Sequence, residues 1–381
     1  MFDAKSLALV PFPFWTLCFF VLGCVVGSFL NVCIHRMPRD ESIVSPPSHC
    51  PHCGYSIPWY LNIPIITWCW LGGRCANCQA LISVRYLLVE LLTGVSFAAC
   101  WLHSGHTLPF VAVVNCIVVA GLIAATFIDF EHFIIPDEIT FGGMALGFCA
   151  SFLVPGTHLS FPYFWPLKTP ESAMVDSVLG MAVGAGVVYA ILRLGKVLFG
   201  RYRLELPADS KVVFTENAVK LPGQEIAYEE LFYRASDAIH LKARTLELVD
   251  RCYLNVTVRL QPDRLQIGED TFEPEKVLHM EAITNEVVLP REAMGPGDVK
   301  FLAAIGAFYG WMGALFSLAA SAMIGSVVGI MLVLTNKRSW SSRMPYGPYI
   351  ALAAVLWIFD GPKCIRLFYQ ILDALSGHYT R

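Results

Sequence analysis

Long runs of apolar residues constrain what this chain can fold into more than any other feature of its sequence. A helix that crosses a bilayer needs ~20 consecutive, mostly apolar residues, because its backbone polar groups find no partners in lipid except one another. The chain contains eight runs of about this kind, of which the last is the weakest. They lie at 11–33, 86–102, 108–129, 139–154, 176–199, 299–316, 318–335 and 347–361.

These runs predict a polytopic α-helical membrane protein with about eight transmembrane helices. Composition agrees, since 56% of the residues are hydrophobic and 15% are charged, against about 25% charged residues in soluble domains. The lipid bilayer is therefore an expected partner. A net charge of -3 supplies no basic surface for nucleic acid, so no nucleic-acid partner is expected.

The distribution of Lys and Arg between the loops orients the predicted helices, because cytoplasmic loops carry an excess of these residues. Loop 34–85 and the stretches after the fifth and seventh runs are rich in them, whereas 103–107 has none and 155–175 has only Lys168. We therefore expect the N-terminus outside the cell and both soluble segments in the cytoplasm. The tail 362–381 would then lie outside despite its cations, so the last run is alternatively an interfacial helix.

The segment 200–292 is the most highly charged part of the chain and shows the alternation of β-strands. Polar and apolar residues alternate over 253–260, a Pro-Asp turn follows, and the pattern resumes at 265–267. This arrangement is typical of a β-hairpin. The sequence predicts a β-rich cytoplasmic insert here, with one short helix around 226–235.

Four cysteines form two C-x2-C pairs with twenty-one residues between them, at Cys50, Cys53, Cys75 and Cys78. Two such pairs can surround a zinc ion, because each pair spans only one edge of a tetrahedron of thiolates. Two disulfides or unconnected thiols are the alternative, and a cytoplasmic location argues against disulfides. His49 and His52 flank the first pair and are alternative ligands. We expect structural zinc, since a closed four-thiolate site has no open position for hydrolysis.

Residues 295–300, with the sequence Gly-Pro-Gly-Asp-Val-Lys, stand where a charged segment ends and an apolar helix begins. No charged residue occurs over 301–316, so Asp298 lies at the mouth of a membrane segment, where an ionisable residue marks a functional site. Gly295 and Gly297 allow the backbone to bend and to approach its neighbours closely. A carboxylate that caps the helix is the alternative interpretation of Asp298.

Asp129 stands at the end of the third apolar run and is the deepest charge of that helix. In the expected topology, the third helix ends and the sixth begins at the cytoplasmic face, so Asp129 and Asp298 lie at one membrane face. Two close carboxylates do not both ionise readily and can share one proton. The ionised partner can then activate a water molecule while the protonated partner polarises a peptide carbonyl. A helix-end charge that reaches the interface is the alternative for Asp129.

Other charged residues near this membrane face have a functional interpretation and a plain structural one. Glu90 lies one turn into the second helix and needs a partner, either Arg85 or a group of the site. Lys300 is either an interfacial cation or a contact to the site. Glu131 and Asp137 follow the third helix, where a plain loop charge is the simpler interpretation.

Several stretches, taken together and in this order, resemble the type IV prepilin peptidase family (leader peptidase/N-methyltransferase). The G-x-G-D motif alone would also suit presenilin-like intramembrane proteases, whereas the whole set is highly specific. The resemblance covers most of 20–145 and 293–335. The stretches are 27–32 (Gly-Ser-Phe-Leu-Asn-Val), 35–38 (His-Arg-Met-Pro), both cysteine pairs, 62–64 (Asn-Ile-Pro), 85–92 (Arg-Tyr-Leu-Leu-Val-Glu-Leu-Leu), Asp129 ahead of Pro136-Asp137, and G-x-G-D at 295–298.

The resemblance implies a bacterial inner-membrane aspartic endopeptidase whose catalytic aspartates are Asp129 and Asp298. Such enzymes remove basic leader peptides from type IV prepilins or type II secretion pseudopilins at the cytoplasmic face. They then methylate the new N-terminal amine with S-adenosylmethionine as the methyl donor. Gly295, Gly297, Lys300 and Glu90 would support the site. Basic leaders would meet an acidic rim, with candidate contacts at Glu90, Glu131, Asp137 and Glu138.

The chain departs from the family pattern at three places. Leu87 stands where the family usually has proline, and Pro296 fills the variable position of G-x-G-D. The insert at 200–292 has no counterpart in compact members, and it could either cover the site or bind partners. No glycine-rich cofactor loop is visible in the sequence, so the methyltransferase assignment depends on the resemblance alone.

Two alternatives to this function remain open at the level of sequence. A presenilin-like protease would cut transmembrane substrates, but the zinc domain and the position of both aspartates at the membrane rim argue against it. A non-enzymatic scaffold or a transporter is the second alternative, and a transporter should show paired broken helices near the bilayer midplane.

These expectations divide the chain into six parts. They are the first transmembrane helix (1–33), the cytoplasmic zinc domain (34–85), helices two to five with the first catalytic aspartate (86–199), the cytoplasmic β-rich insert (200–292), the G-x-G-D motif with helices six to eight (293–361) and a C-terminal tail (362–381).

Overall fold

The structure, a computed structural model, has two compact units. It describes residues 11–105, 107–158, 169–199, 201–222, 224–232, 237–274, 277, 279–290, 295–335 and 344–376. One unit comprises Met1–Tyr189 and Gly295–Arg381, and the other comprises Ala190–Met294. The first unit contains long apolar helices and the cysteine pairs, and the second contains the β-rich segment, so the coarse fold class is confirmed.

The helices follow the apolar runs of the sequence. In chain order they are α1 (Phe12–Arg36), α2 (Ile66–Trp70), α3 (Val84–Cys100), α4 (Pro109–His132), α5 (Asp137–Leu153), α6 (Pro170–Phe199), α7 (Tyr228–Leu231), α8 (Pro296–Leu334) and α9 (Gly347–Ser376). Helices α4 and α8 both begin with proline, whose preset φ and missing N–H suit the first helical position. Helix α7 belongs to the second unit, and it is the short helix predicted around 226–235.

Five described helices are long and apolar enough to cross a membrane, namely α1, α3, α4, α6 and α8. The first part of α9, Gly347–Gly361, is a shorter apolar helix, and α9 continues into the predicted tail as far as Ser376. The number of crossings and the orientation stay predictions. Lys168 and the cations of 336–343, which contribute to the predicted orientation, lie outside the described residues.

The runs predicted as separate helices at 299–316 and 318–335 form one element, α8, which is broken at Gly310. This residue has φ 71° and ψ -175°, a conformation that glycine adopts readily and residues with a side chain do not. A Cβ atom on Gly310 would lie 1.8 Å from Oδ2 of Asp176 on α6. The boundary that we expected near 317 therefore lies at Gly310, because packing against Asp176 requires a residue without a side chain.

Helices α6 and α8 approach each other through glycines on both sides. A Cβ atom on Gly180 would lie 2.1 Å from the carbonyl oxygen of Gly306, and one on Gly184 would lie 2.7 Å from the carbonyl oxygen of Leu302. Small residues permit such contact between helix backbones in lipid, where van der Waals packing drives association.

The second unit is an antiparallel eight-stranded sheet. Its strand order is β3-β2-β1-β8-β4-β5-β6-β7, so the last strand along the chain lies in the middle. The predicted hairpin is confirmed, since β5 pairs with β6 and Leu260 lies opposite Leu265. The strands are β1 (Arg201–Phe214), β2 (Ala218–Leu221), β3 (Gln224–Ala227), β4 (Ile239–Leu248), β5 (Cys252–Leu260), β6 (Leu265–Ile267), β7 (Asp270–Phe272) and β8 (Met280–Pro290).

We predict that Gly180→Val destabilises the helical unit, because the added side chain would have to push the backbone of α8 away. Overpacking of this kind lowers the free energy of unfolding by about 1–3 kcal/mol. Gly186→Val is the matched control, since it lies on the same helix and no atom lies within 4 Å of its Cβ position. Thermal unfolding of the purified proteins in detergent measures the difference, and equal midpoints for the two variants would contradict the prediction.

Candidate active site

Asp129 lies in the last turn of α4, where the chain turns towards α5. Helix α4 ends at His132, and Phe133 takes a left-handed conformation with φ 56°. Pro136 precedes the first residue of α5, as expected for a residue that cannot continue a helix. The Asp129 carboxylate is buried, with 6% of the residue exposed, and its Oδ2 accepts a hydrogen bond of 2.8 Å from the N–H of Gly347.

Asp298 lies in the first turn of α8, and the backbone there is arranged around its carboxylate. Oδ2 of Asp298 accepts a hydrogen bond of 3.2 Å from the N–H of Gly295, while the N–H of Asp298 donates to the carbonyl of Gly295 at 3.2 Å. The carboxylate supplies the half of a capping box in which the third helical residue accepts from the N–H of the N-cap residue, so Asp298 is the third helical residue rather than the cap itself. Only 7% of Asp298 is exposed.

The structure brings the two aspartates together from helices far apart in the sequence. The carboxyl groups of Asp129 and Asp298 are close enough to interact electrostatically. Ile135 lies between the segments that hold the two residues. A Cβ atom on Gly297 would lie 3.3 Å from Cβ of Ile135, and one on Gly347 would lie 3.2 Å from its Cδ1. The predicted pair is therefore a single buried centre at the end of α4 and the start of α8.

The segment that leads into α9, which contains Tyr346, was not predicted from the sequence as part of the site. Oη of Tyr346 lies 3.0 Å from Oγ of Ser321 on α8. Burial raises the pKa of the Tyr346 phenol, and the charge of Asp298 raises it further against the opposing effect of the Ser321 hydrogen bond. Tyr346 therefore stays a neutral hydroxyl near the aspartates. The available sequence signal was the pair Gly347-Pro348 at the start of an apolar helix, which repeats the pair Gly295-Pro296 at the start of α8.

Two of the four carboxylates predicted to contact a leader are paired with cations of this chain. Arg85 forms an ion pair with Glu131. Nζ of Lys300 lies 2.6 Å from Oδ1 of Asp137, so Lys300 contacts the rim rather than the buried pair. Among the described residues, the carboxylate of Glu138 has neither a hydrogen bond nor an ion pair.

Glu90 connects the segment before α3 to the helix itself. Its Oε2 accepts a hydrogen bond of 2.8 Å from the N–H of Ile65, a residue with φ 62°. The partner suggested from sequence, Arg85, binds Glu131 instead. The geometry thus gives the buried Glu90 a role in anchoring the loop of Ile65 to α3.

The four cysteines of the two pairs converge on one point. Their sulfur atoms, in Cys50, Cys53, Cys75 and Cys78, all lie within 4.8 Å of one another, and all are free thiols. The turns of the two pairs are closed by equivalent hydrogen bonds. The carbonyl of the first cysteine accepts from Gly54 in one pair and from Gln79 in the other, and both of these residues have positive φ.

This arrangement fits a zinc ion by its donor chemistry as well as by its geometry. The backbone N–H groups of Cys78 and Asn77 hold the pKa of the Cys75 thiol down, at about 7. A thiol that loses its proton near neutral pH is a ready zinc ligand. Four sulfurs placed in this way would form a closed tetrahedral site that holds the segment together.

Two family models match the chain. The model described as the Bacterial Peptidase A24 N-terminal domain matches residues 21–104. The model described as the Type IV leader peptidase family matches residues 116–201 and 277–330, so most of the β-rich unit lies in the gap of this match. No solved structure matches the chain.

Curated relatives are named prepilin leader peptidase/N-methyltransferase. The chain is 43% identical to the one from Myxococcus xanthus over 172 residues, which are 45% of this chain and 46% of the relative. It is 35% identical to the one from Dichelobacter nodosus over 214 residues, which are 48% of this chain and 68% of the relative. It is 26% identical to the one from Aeromonas hydrophila over 379 residues, which are 91% and 92% of the two chains.

We predict that Cys75→Ser lowers the zinc content of the purified protein from one ion per chain to well below one, because three sulfurs cannot complete the tetrahedron. Cys69→Ser is the matched control, since Cys69 is exposed in the same segment and outside the quartet. Elemental analysis by mass spectrometry measures both proteins. One zinc ion per chain in Cys75→Ser would contradict the prediction.

Proposed function

This chain belongs to the type IV leader peptidase family, and we propose that it is a membrane aspartic endopeptidase that removes the leader peptide of type IV prepilins. The observation that carries this proposal is the burial of two carboxylates, Asp129 and Asp298, at one centre. Their hydrogen-bond partners among the described residues are backbone N–H groups. Both residues fall within the matched ranges of the family model.

Asp129 and Asp298 share one proton in the proposed reaction. The ionised carboxylate takes a proton from a water molecule as the water oxygen attacks the carbonyl carbon of the scissile peptide bond. The protonated carboxylate donates its proton to the carbonyl oxygen at the same time. Collapse of the tetrahedral intermediate then breaks the C–N bond, and a carboxyl group returns a proton to the leaving amine. A site with little water strengthens each of these electrostatic interactions.

The position of both aspartates at helix ends favours access from the aqueous face of the membrane. Asp129 lies in the last turn of α4 and Asp298 in the first turn of α8. A substrate whose scissile bond lies at the membrane surface can reach such a site without unwinding inside lipid. We propose that this is the cytoplasmic face of the bacterial inner membrane, with the N-terminus on the opposite side. This arrangement supports leader cleavage over a presenilin-like cut within a transmembrane helix.

The second proposed activity is N-methylation of the amine that cleavage exposes, which is the other activity named for the relatives. S-adenosylmethionine would supply the methyl group. Structural zinc at the four cysteines would hold the segment 34–85 in shape, and the hydrogen bond from Ile65 to Glu90 would attach this segment to α3.

The basic residues of the leader would enter along the acidic rim. Glu138, in the first turn of α5, has a carboxylate with no partner among the described residues, so it is the first available contact for a Lys or Arg. Glu131 and Asp137 are already paired with Arg85 and Lys300. A leader cation would reach them only by exchange with these internal cations.

We predict that Asp129→Asn and Asp298→Asn each lower the rate of leader cleavage by at least about 1000-fold, because a single carboxyl group cannot serve as base and acid together. Asp360→Asn is the control, since this carboxylate lies on α9 and pairs with Lys363. Co-expression with a prepilin, followed by mass spectrometry of the pilin, measures leader loss and the added methyl group. Cleavage at the wild-type rate by either variant would remove that aspartate from the mechanism.

We predict that Glu138→Lys raises KM for a prepilin with a basic leader by about fivefold, the effect of one exposed ion pair of about 1 kcal/mol. A prepilin whose leader carries Glu in place of Lys should bind this variant better than it binds the wild type. Glu269→Lys, an exposed change in the second unit, is the control for net charge. An unchanged KM for both substrates would exclude Glu138 from leader recognition.

A further inference from the structure

We propose that the start of α9 is a third component of the active site, in which the backbone N–H of Gly347 positions the carboxylate of Asp129. This inference rests on the proposed function, since it assigns a role to Gly347 through Asp129. Gly347 is a positioning residue, because its N–H contacts a catalytic carboxylate.

The hydrogen bonds at the start of α9 single out the N–H of Gly347. The first turn of a helix has N–H groups without partners inside the helix. Pro348 has no N–H, and those of Tyr349 and Ile350 both donate to the carbonyl of Tyr346, at 3.1 and 3.3 Å. The N–H of Gly347 is directed instead at Oδ2 of Asp129, at 2.8 Å. The positive end of the α9 dipole therefore faces a carboxylate, which is a favourable arrangement.

Space, rather than backbone conformation, requires glycine at this position. Gly347 is not among the residues with positive φ. A Cβ atom here would lie 2.8 Å from Oδ2 of Asp129 and 3.2 Å from Cδ1 of Ile135. Any side chain would therefore displace the Asp129 carboxylate or push the start of α9 away from it. Because Gly347 has no side chain, the start of α9 can come close enough to Asp129 to donate this hydrogen bond.

Helix α8 holds the start of α9 in place. Tyr346 contacts Ser321 through its hydroxyl, and the Cβ position of Gly325 lies 3.4 Å from the ring of Tyr349. A Cβ atom on Gly329 would lie 3.1 Å from Met344. The three α8 residues are spaced four apart and so share one face of the helix.

The break at Gly310 makes this anchoring possible. Asp298 and Ser321 are 23 residues apart, so an unbroken helix would separate them by about 34 Å at its usual rise. Yet Tyr346, which contacts Ser321, directly precedes Gly347, and both Gly347 and Gly297, the neighbour of Asp298, lie against Ile135. The second arm of α8 therefore runs back towards the first, and one helix supplies Asp298 and also holds the segment that positions Asp129.

Gly347→Ala tests the role of this position in the full-length protein. We expect kcat for leader cleavage to fall by about 10- to 100-fold, the factor for one hydrogen bond to a charged group. KM should change by less than about twofold, because the substrate does not bind this amide. Gly142→Ala on α5 is the matched control and should keep kcat within about twofold of wild type, since no atom lies within 4 Å of its Cβ position.

A backbone ester at position 347, made by incorporating glycolic acid, replaces the N–H with an oxygen atom and adds no side chain. It also makes the carbonyl of Tyr346 a weaker acceptor for the N–H groups of Tyr349 and Ile350, and an ester at position 142 controls for such a change within a helix. The ester at position 347 decides the question even if Gly347→Ala fails to fold. The inference is supported if kcat falls by about tenfold or more with unchanged KM, relative to an ester at position 142. A wild-type kcat overturns it. Loss of cleavage in Asp129→Asn alongside wild-type kcat in the ester variant would overturn this inference and leave the proposed function intact. Full cleavage by Asp129→Asn would overturn both.

Discussion

Two carboxylates can be buried side by side only if each receives a hydrogen bond from a group that is itself fixed. Burial of an unpaired charge is strongly unfavourable, and a backbone N–H at a helix start is a suitable donor. Asp298 receives such a bond from Gly295 at the start of α8, and Asp129 receives one from Gly347 at the start of α9. The proposed active centre therefore requires two helix starts to meet the end of α4 at one place, and the packing of the helical unit meets this requirement.

Glycine makes that meeting possible in three distinct physical ways. Gly310 breaks α8 with a positive φ, and the second arm of α8 holds the segment before Gly347, which lies against Asp129. Gly180 on α6 permits backbone contact with α8. Gly347 leaves room for the Asp129 carboxylate. These are three separate structural requirements: a turn in a helix, close packing of two helices, and access to a carboxylate. In each case a Cβ atom would collide with an atom of a neighbouring helix.

The parts outside the long helices depend on local chemistry of another kind. The two cysteine pairs form equivalent turns whose sulfurs converge, and the loop of Ile65 is attached to α3 through Glu90. The β-rich unit has a core and a strand order of its own, and most of it falls in the gap of the leader peptidase match. The leader peptidase match thus includes both aspartates of the helical unit, whereas α9 begins beyond its last matched residue.

The sequence alone was sufficient for features that depend on local pattern. Apolar runs predicted the helices because spanning length is a local property, alternation predicted the β5–β6 hairpin, and C-x2-C spacing predicted the cysteine cluster. Asp129 and Asp298 were found because each stands at the end of an uncharged run. Tertiary structure alone decided which distant groups meet, namely Gly347 with Asp129, Arg85 with Glu131, and Ile65 with Glu90. It also decided that α8 breaks at Gly310 and not near 317. The space beside Asp176 depends on how α6 packs against α8, and such packing produces no periodic pattern in the sequence.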